Sequence, residues 1–482
     1  MTMRRMLRNI PRRGGYRGNG GGGGGYNRGN FRFGMVMVPL VATVATVGSL
    51  GALTYYYLHM SNFSVKDAFH ELNWIIEHPE IRASKSLDTP ILDPDYRPQA
   101  RFARNIVKRH LSTHAYPGAT VAVVKDGRLV WAEGFGYSDV ENLVPVSHKT
   151  VFRVASISKA LTAMCALKMW ENDQLDIDKD VREYLPDLKL YFRPPGAQEK
   201  EVLPMDQKVT TRMLLSHLSG IRHYKEYAEY SQTKHYENVE QALEMFINDE
   251  LQHMPGEKYL YSTFGLVLAS VVMQKAGGMP FPQLMTQTLF NPLDMKSTRE
   301  ESHDVLVPRR GRHYIRVFDK SNSPKESYKS LASSHLENAP YVDNSNKFAG
   351  GGFMSTAKDI AKFGYQTICG DFLSKQTQKM MLTPQKQNDG TATPYGIGWS
   401  LPVREDIDLE RMSGRFCAKH SGGASGGTSM LYVLPEQKIA VAVIVNLQGV
   451  NRIAELAEKI AMQFESFDEK AKLPYAAKDD KV

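Results

Sequence analysis

The sequence predicts an α/β (α+β) fold: an antiparallel sheet completed jointly by the two ends of the chain, with a mainly helical middle. Apolar-alternating runs pair across short turns near residue 126 and again near residue 436. Helical apolar spacing and loop dominate from roughly 160 to 360. Composition agrees, because 482 residues at 42% hydrophobic and 23% charged belong to a globular chain, not a disordered or collagen-like one. The length suits one large domain with appendages.

The N-terminal region differs from the body. Residues 1–66 carry nine basic side chains and no acid, the first acid being Asp67. Subtracting those nine from the total of +8 leaves the remainder at −1, so no basic face for nucleic acid is expected on the body. An Arg-rich, acid-free start is the pattern of a mitochondrial targeting segment, here residues 1–34. Its glycine tract, GGYRGNGGGGGGYNRGNFRFG, also resembles RGG-type RNA-binding segments, and a flexible linker is a third reading. Met35–Leu58 contains no charged residue and is long enough for a membrane-spanning helix, with Tyr55, Tyr56 and Tyr57 at the interface. With the positive charge held inside, the body faces the intermembrane space. In a secretory protein Asn62-Phe63-Ser64 would instead be a glycosylation sequon. Residues 59–98 read as a juxtamembrane linker ending in proline-marked chain.

The body begins near residue 99. Arg101–Thr113 has helical spacing. Ala119–Val124 and Arg128–Phe135 flank Asp126-Gly127, a strong hairpin signal. Ser429–Leu434 and Ile439–Val445 flank Pro435-Glu436-Gln437-Lys438, and a helix over Arg452–Phe464 follows. Lys296–Phe348 lacks periodicity and reads as a long excursion. Residues 466–482 read as a charged tail.

The chemistry-bearing motif is Ser156-Ile157-Ser158-Lys159, where a strand-like run meets a helix. Residues three apart share a helix face, so the Lys159 amine can reach the Ser156 hydroxyl. A hydroxyl becomes a useful nucleophile when a base takes its proton, and a lysine kept neutral by burial or a nearby cation can be that base. The competing reading is a capping serine beside a solvated lysine. Companions follow in order. Tyr261 lies in PGEKYLYS, before an apolar helix, and can relay a proton if nearby cations lower its pKa. His420-Ser421-Gly422 opens a glycine-rich stretch whose backbone N–H groups can receive an oxyanion.

These residues, with LLSHLSGIRHY at 214–224, AGGGFMSTAKD at 349–359, YGIGW at 395–399 and HSGG at 420–423, resemble the serine β-lactamase and penicillin-binding-protein superfamily, class C above all. The resemblance covers about 99–465 and implies a catalytic domain there. It implies an antiparallel sheet with helices on both faces, a mainly helical lobe, and an active site in the groove between. It assigns Ser156 as acylated nucleophile, Lys159 as base and Tyr261 as the tyrosine of the Y-x-N element. It places His420, Ser421 and Gly422 at the K-T-G position, and the N–H groups of Ser156 and Gly423 in the oxyanion hole. Thr263 stands where the family has an asparagine that contacts substrate. His420 replaces a lysine, which predicts a charge that titrates near neutrality and poor binding of a β-lactam carboxylate. A peptidase or esterase acting on a peptide or other acyl substrate is expected. The animal mitochondrial branch of the superfamily implies a role in mitochondrial lipid metabolism, association with the inner membrane and self-association. No cofactor and no metal are expected, and nucleic acid is not an expected partner. A catalytically weak scaffold that kept the fold is the alternative.

Other motifs are set aside. Gly423-Ala424-Ser425-Gly426-Gly427 matches G-x-S-x-G, but a strand follows it where a nucleophile elbow needs a helix. His217 and His223 read as positioning groups. Ser355-Thr356 with Asp359 reads as a helix cap and capping box. Cys165 reads as core, and Cys165, Cys369 and Cys417 form no metal or disulfide pattern.

Overall fold

The computed structural model describes residues 88–318, 334–402 and 416–465. The targeting, anchor and tail segments expected at 1–34, 35–58 and 466–482 lie outside the described residues. Among the described residues no single helix is long and apolar enough to cross a membrane.

The first strand, β1 (Ile91–Leu92), lies within the segment read as linker and pairs with the sheet. Helix α1 (Arg97–His114) starts earlier than its periodicity suggests, with Pro98 in its first turn, a position that tolerates a missing N–H. Strands β2 (Gly118–Lys125) and β3 (Arg128–Asp139) meet at Asp126 and Gly127, both at positive φ, as a two-residue hairpin of this type requires.

The last three strands are β7 (Ala418–Ala424), β8 (Gly427–Leu434) and β9 (Ile439–Val445). The sheet order is β1-β3-β2-β9-β8-β7, antiparallel throughout, with Val144–Pro145 added against β3. Strand β2 pairs with β9 in the register Val121↔Val443, so early and late strands of the described body meet in mid-sheet. Alternate side chains of these strands enter two separate cores. Val121, Val441 and Tyr432 face α1 and the terminal helix α6 (Ile453–Gln463). Ala122, Ala442 and Leu431 face α2 (Ile157–Glu171) and α5 (Ala357–Ile368). Coverage on both faces explains why β2, β8 and β9 are buried along their whole length.

Residues 172–295 hold short helices, α3 (Thr211–Leu215) among them, and loops around α4 (Thr263–Gly277), which is apolar on nearly every side and buried in the core. The expected excursion is more integrated than its lack of periodicity suggested. A three-stranded sheet joins β4 (Phe152–Arg153) to β6 (Phe353–Ser355) and then to β5 (Arg299–Glu300). Two-residue strands leave no periodic trace, so this pairing could not be read from local pattern. Thr356 caps α5 by accepting from Asp359 N–H. The Asp359 carboxylate accepts from Ser297 N–H at 2.8 Å, which ties the excursion to the body. Cys165 is fully buried in the core.

Candidate active site

The approach to Ser156 is strained. Ala155 sits at φ 48, a left-handed conformation that costs a residue with a Cβ about 1–2 kcal/mol. Ser156 then opens α2 in the capping position, yet its side chain makes no capping bond. Its hydroxyl meets two other groups instead. The Lys159 Nζ donates to Ser156 Oγ at 3.1 Å, and Ser156 also hydrogen-bonds the Tyr261 phenol. The reading of Ser156 as an ordinary cap is therefore not met.

Lys159 is fully buried, and its amine also donates to Gly350 O at 2.5 Å. Burial drives its pKa down from the usual lysine range to about 7, because the charged form loses its water. Thr162 Oγ donates to Ala349 O, and Phe353 N–H donates to Ser158 Oγ, so the first turns of α2 hold the 349–353 segment in place. Gly350 is required there, since a Cβ would lie 2.5 Å from the Thr263 methyl. The Gly350 carbonyl thus supplies an acceptor for the Lys159 amine. The Thr263 side chain is engaged elsewhere. Its hydroxyl bonds Tyr224, and its backbone N–H donates to His223 Nδ1 at 3.2 Å.

Tyr261 comes from the loop that leads into α4. Ser262 caps that helix by accepting from Gly265 N–H, while its hydroxyl donates to Arg222 O. The Ser262 N–H donates to His217 Nδ1 at 3.2 Å. His217 and His223 thereby hold consecutive N–H groups of the loop, as positioning groups would. The His217 ring also lies 4.4 Å from the Tyr261 ring and 4.7 Å from Tyr395, centre to centre. The Lys159 Nζ stands 4.8 Å over the Tyr261 ring. Nearby cations were expected to lower the Tyr261 pKa. Burial is the larger effect and pushes it up to about 12, so the phenol keeps its proton at neutral pH.

The edge strand β7 supplies the opposite wall. Lys419 exchanges both backbone hydrogen bonds with Ser400 on the side away from β8. Backbone groups alternate direction along a strand, so Ser421 and Gly423 point off the same free edge. Ser421 and Gly423 are exposed and Gly422 is buried. A Cβ on Gly422 would lie 2.4 Å from Val154 O and 3.0 Å from the Ala155 Cβ, so glycine lets the strand close against the Ser156 turn. A Cβ on Gly423 would meet nothing within 4 Å. Ser156 N–H donates to no group among the described residues.

His420 departs from expectation. It is 4% exposed, and burial, helped by the Lys159 charge, lowers its pKa to about 3, so it is neutral at physiological pH. Burial likewise lowers His223 to about 4 and takes His217 well down. Residue type alone assigns no role to Tyr395 or Gly350, although both lie within motifs of the resemblance. Ser425 sits in the hairpin turn between β7 and β8, with no helix after it. Among the described residues no cluster of three or more His, Cys, Asp or Glu could hold a metal ion.

This fold is that of the β-lactamases and penicillin-binding proteins, a superfamily of serine hydrolases. The Beta-lactamase family profile matches residues 103–463, and the chain belongs to that family. It is 32% identical to the human "Serine beta-lactamase-like protein LACTB, mitochondrial", across 75% of this chain and 79% of that protein. Among solved structures it resembles an octameric penicillin-binding protein homologue from Pyrococcus abyssi (TM-score 0.58, 23% identity, 74% of this chain and 76% of that one). It also resembles a D-amino acid amidase from Ochrobactrum anthropi SV3 (TM-score 0.59, 20% identity, 76% of this chain and 97% of that one).

Proposed function

We propose that this chain is a serine peptidase or related acyl hydrolase that works through an acyl-enzyme on Ser156. The observation that carries this reading is the buried Lys159 amine, 3.1 Å from a Ser156 hydroxyl that caps nothing. In its neutral form Lys159 accepts the hydroxyl proton as Ser156 Oγ attacks the substrate carbonyl. The oxyanion is received by Ser156 N–H and Gly423 N–H. As the bond from the carbonyl carbon to the leaving group breaks, Lys159 returns the proton to that group, and the Tyr261 hydroxyl supports the transfer. Water then attacks the ester by the same route in reverse, releasing the acid and free Ser156. Ser421 and Gly422 line the substrate edge together with Thr263. Neither a cofactor nor a metal has a part in this route.

Labelling with a fluorophosphonate probe tests the assignment. Wild-type protein is expected to label and Ser156→Ala to remain unlabelled; equal labelling of the two would sink it.

The localisation proposed is the mitochondrion, with 35–58 anchoring the body to the inner membrane on its intermembrane-space side and with a role in mitochondrial lipid metabolism. The acid-free start and the name of the human relative support the organelle. Protease protection in intact mitochondria and in mitoplasts tests the side. Self-association is proposed on the octameric archaeal homologue and is read by sedimentation. A scaffold of low activity is the second reading, favoured by the engagement of Thr263 with Tyr224. Full cellular function of Ser156→Ala would support it.

A further inference from the structure

Three residues before the proposed nucleophile, Arg153 is almost completely buried, its side chain 5% exposed, against a Glu301 side chain at 2%. Its Nε donates to both Glu301 oxygens, at 3.0 and 2.7 Å. Its Nη1 donates to the carbonyl of Ser425 at 2.6 Å. Ser425 is in the turn that ends β7, two residues past Gly423. One guanidinium thus links the strand that delivers Ser156 to the excursion carrying Glu301 and to the tip of the hairpin whose edge faces Ser156. Asn344 Nδ2 donates to Glu301 as well.

The next two residues continue the seam. Val154 O accepts from Ser429 Oγ at 2.7 Å, and Ala155 lies against Gly422. A Cβ on Gly427 would come within 3.5 Å of the Arg153 Cβ. The strained Ala155 persists because its surroundings over-determine it. Among the described residues, the bond from Arg153 to the Ser425 carbonyl is the one hydrogen bond that a side chain of β4 makes to the hairpin.

We propose that Arg153 is a positioning residue that acts through the Ser425 carbonyl, holding Ser156 and Gly423 N–H at their working separation. The proposal rests on the reading of Ser156 as nucleophile and Gly423 as oxyanion donor. A planar fork can bond Glu301 and Ser425 at once, which a lysine amine on a shorter reach cannot do with the same geometry. Misplacement by about 1 Å costs about a hundredfold in rate, with little effect on binding remote from the reacting atoms.

The test uses the full chain and a fluorophosphonate, with labelling resolved into a binding constant and a maximal rate. Arg153→Lys, which keeps a cation beside Glu301, is expected to lower the maximal rate about ten- to a hundredfold and to leave the binding constant within about twofold. Because a buried ion pair can often be replaced by apolar groups without loss of fold, Arg153→Met with Glu301→Leu serves as the second variant, with the same expected loss at an unchanged melting temperature. Affinity for phenylboronic acid, whose adduct places an oxygen toward Gly423 N–H, is expected to fall in parallel; a merely structural role would not move it. Maximal rates and boronate affinities equal to wild type in both variants overturn the positioning role alone. Ser156→Ala that labels like wild type overturns the role and the nucleophile assignment together.

Discussion

The Tyr395 hydroxyl lies 2.7 Å from His420 Nε2, and His420 Nδ1 lies 2.7 Å from the carbonyl of Ser421. A carbonyl only accepts, so Nδ1 carries the ring proton and Nε2 accepts from the phenol. Both nitrogens are thereby committed. Where the family presents a lysine, this chain presents a neutral ring with no donor left for a substrate carboxylate. Tyr395→Phe keeps the aromatic packing and leaves Nε2 buried without a partner. A loss of about 1–3 kcal/mol is expected in urea unfolding.

The dependence of reaction on pH follows from Lys159. Only its neutral form is a base, and its pKa is lowered to about 7. The fluorophosphonate labelling rate is expected to rise about tenfold per pH unit below about 7 and to level off above it. His420 and His223, at about 3 and about 4, add no second limb between pH 5 and 9. A bell-shaped profile centred near neutrality would contradict this assignment.

Stability carries the same signature. The folded Lys159 titrates at about 7 against an ordinary 10.5, so between these values the unfolded chain holds a proton that the folded chain lacks. Stability therefore rises with pH across that window, the penalty being full below about 7. Lys347, also lowered to about 7 by burial, contributes in the same range. The difference between wild type and Lys159→Met isolates Lys159. It is expected to move in favour of wild type by about 2–4 kcal/mol from pH 7 to 10, read by chemical denaturation at each pH.

Gly422→Ala tests the closeness of β7 to the Ser156 turn. The added methyl meets Ser429 Oγ at 2.3 Å and Val154 O at 2.4 Å, so the strand has to shift. Overpacking of this kind costs about 1–3 kcal/mol, and the labelling rate is expected to fall at least about tenfold. Thermal unfolding and labelling measured on one preparation separate the two effects.

His217 lies at φ 65 and supplies the acceptor for Ser262 N–H. His217→Ala loses the acceptor and the ring against Tyr261. His217→Asn keeps an acceptor and a residue that tolerates left-handed backbone. Labelling and melting temperature are expected to fall in both, with alanine the worse. The reverse order would remove the positioning role.

Much of the sheet was legible because its signals are local. Asp126-Gly127 and Pro435–Lys438 mark their hairpins, and the alternation on either side marks the faces. Ser156 and Lys159 were legible for the same reason, being three residues apart on one helix. The contacts that complete the site are remote. Gly350 meets Lys159 through a backbone carbonyl 191 residues away, and a carbonyl has no letter in a sequence. Ile91–Leu92 and Arg299–Glu300 are too short for a period to appear. Titration near neutrality at His420 and a lowered pKa at Tyr261 were inferred from residue type and charge. Burial, which decides both, is a property of the folded chain.

The meeting of early and late strands in mid-sheet also imposes an order in time. Ser156 and Lys159 are made more than two hundred residues before the strand that faces them, Ala418–Ala424, which is held in the sheet through Gly427–Val445. A chain that stops before residue 418 therefore carries Ser156 without the strand that faces it.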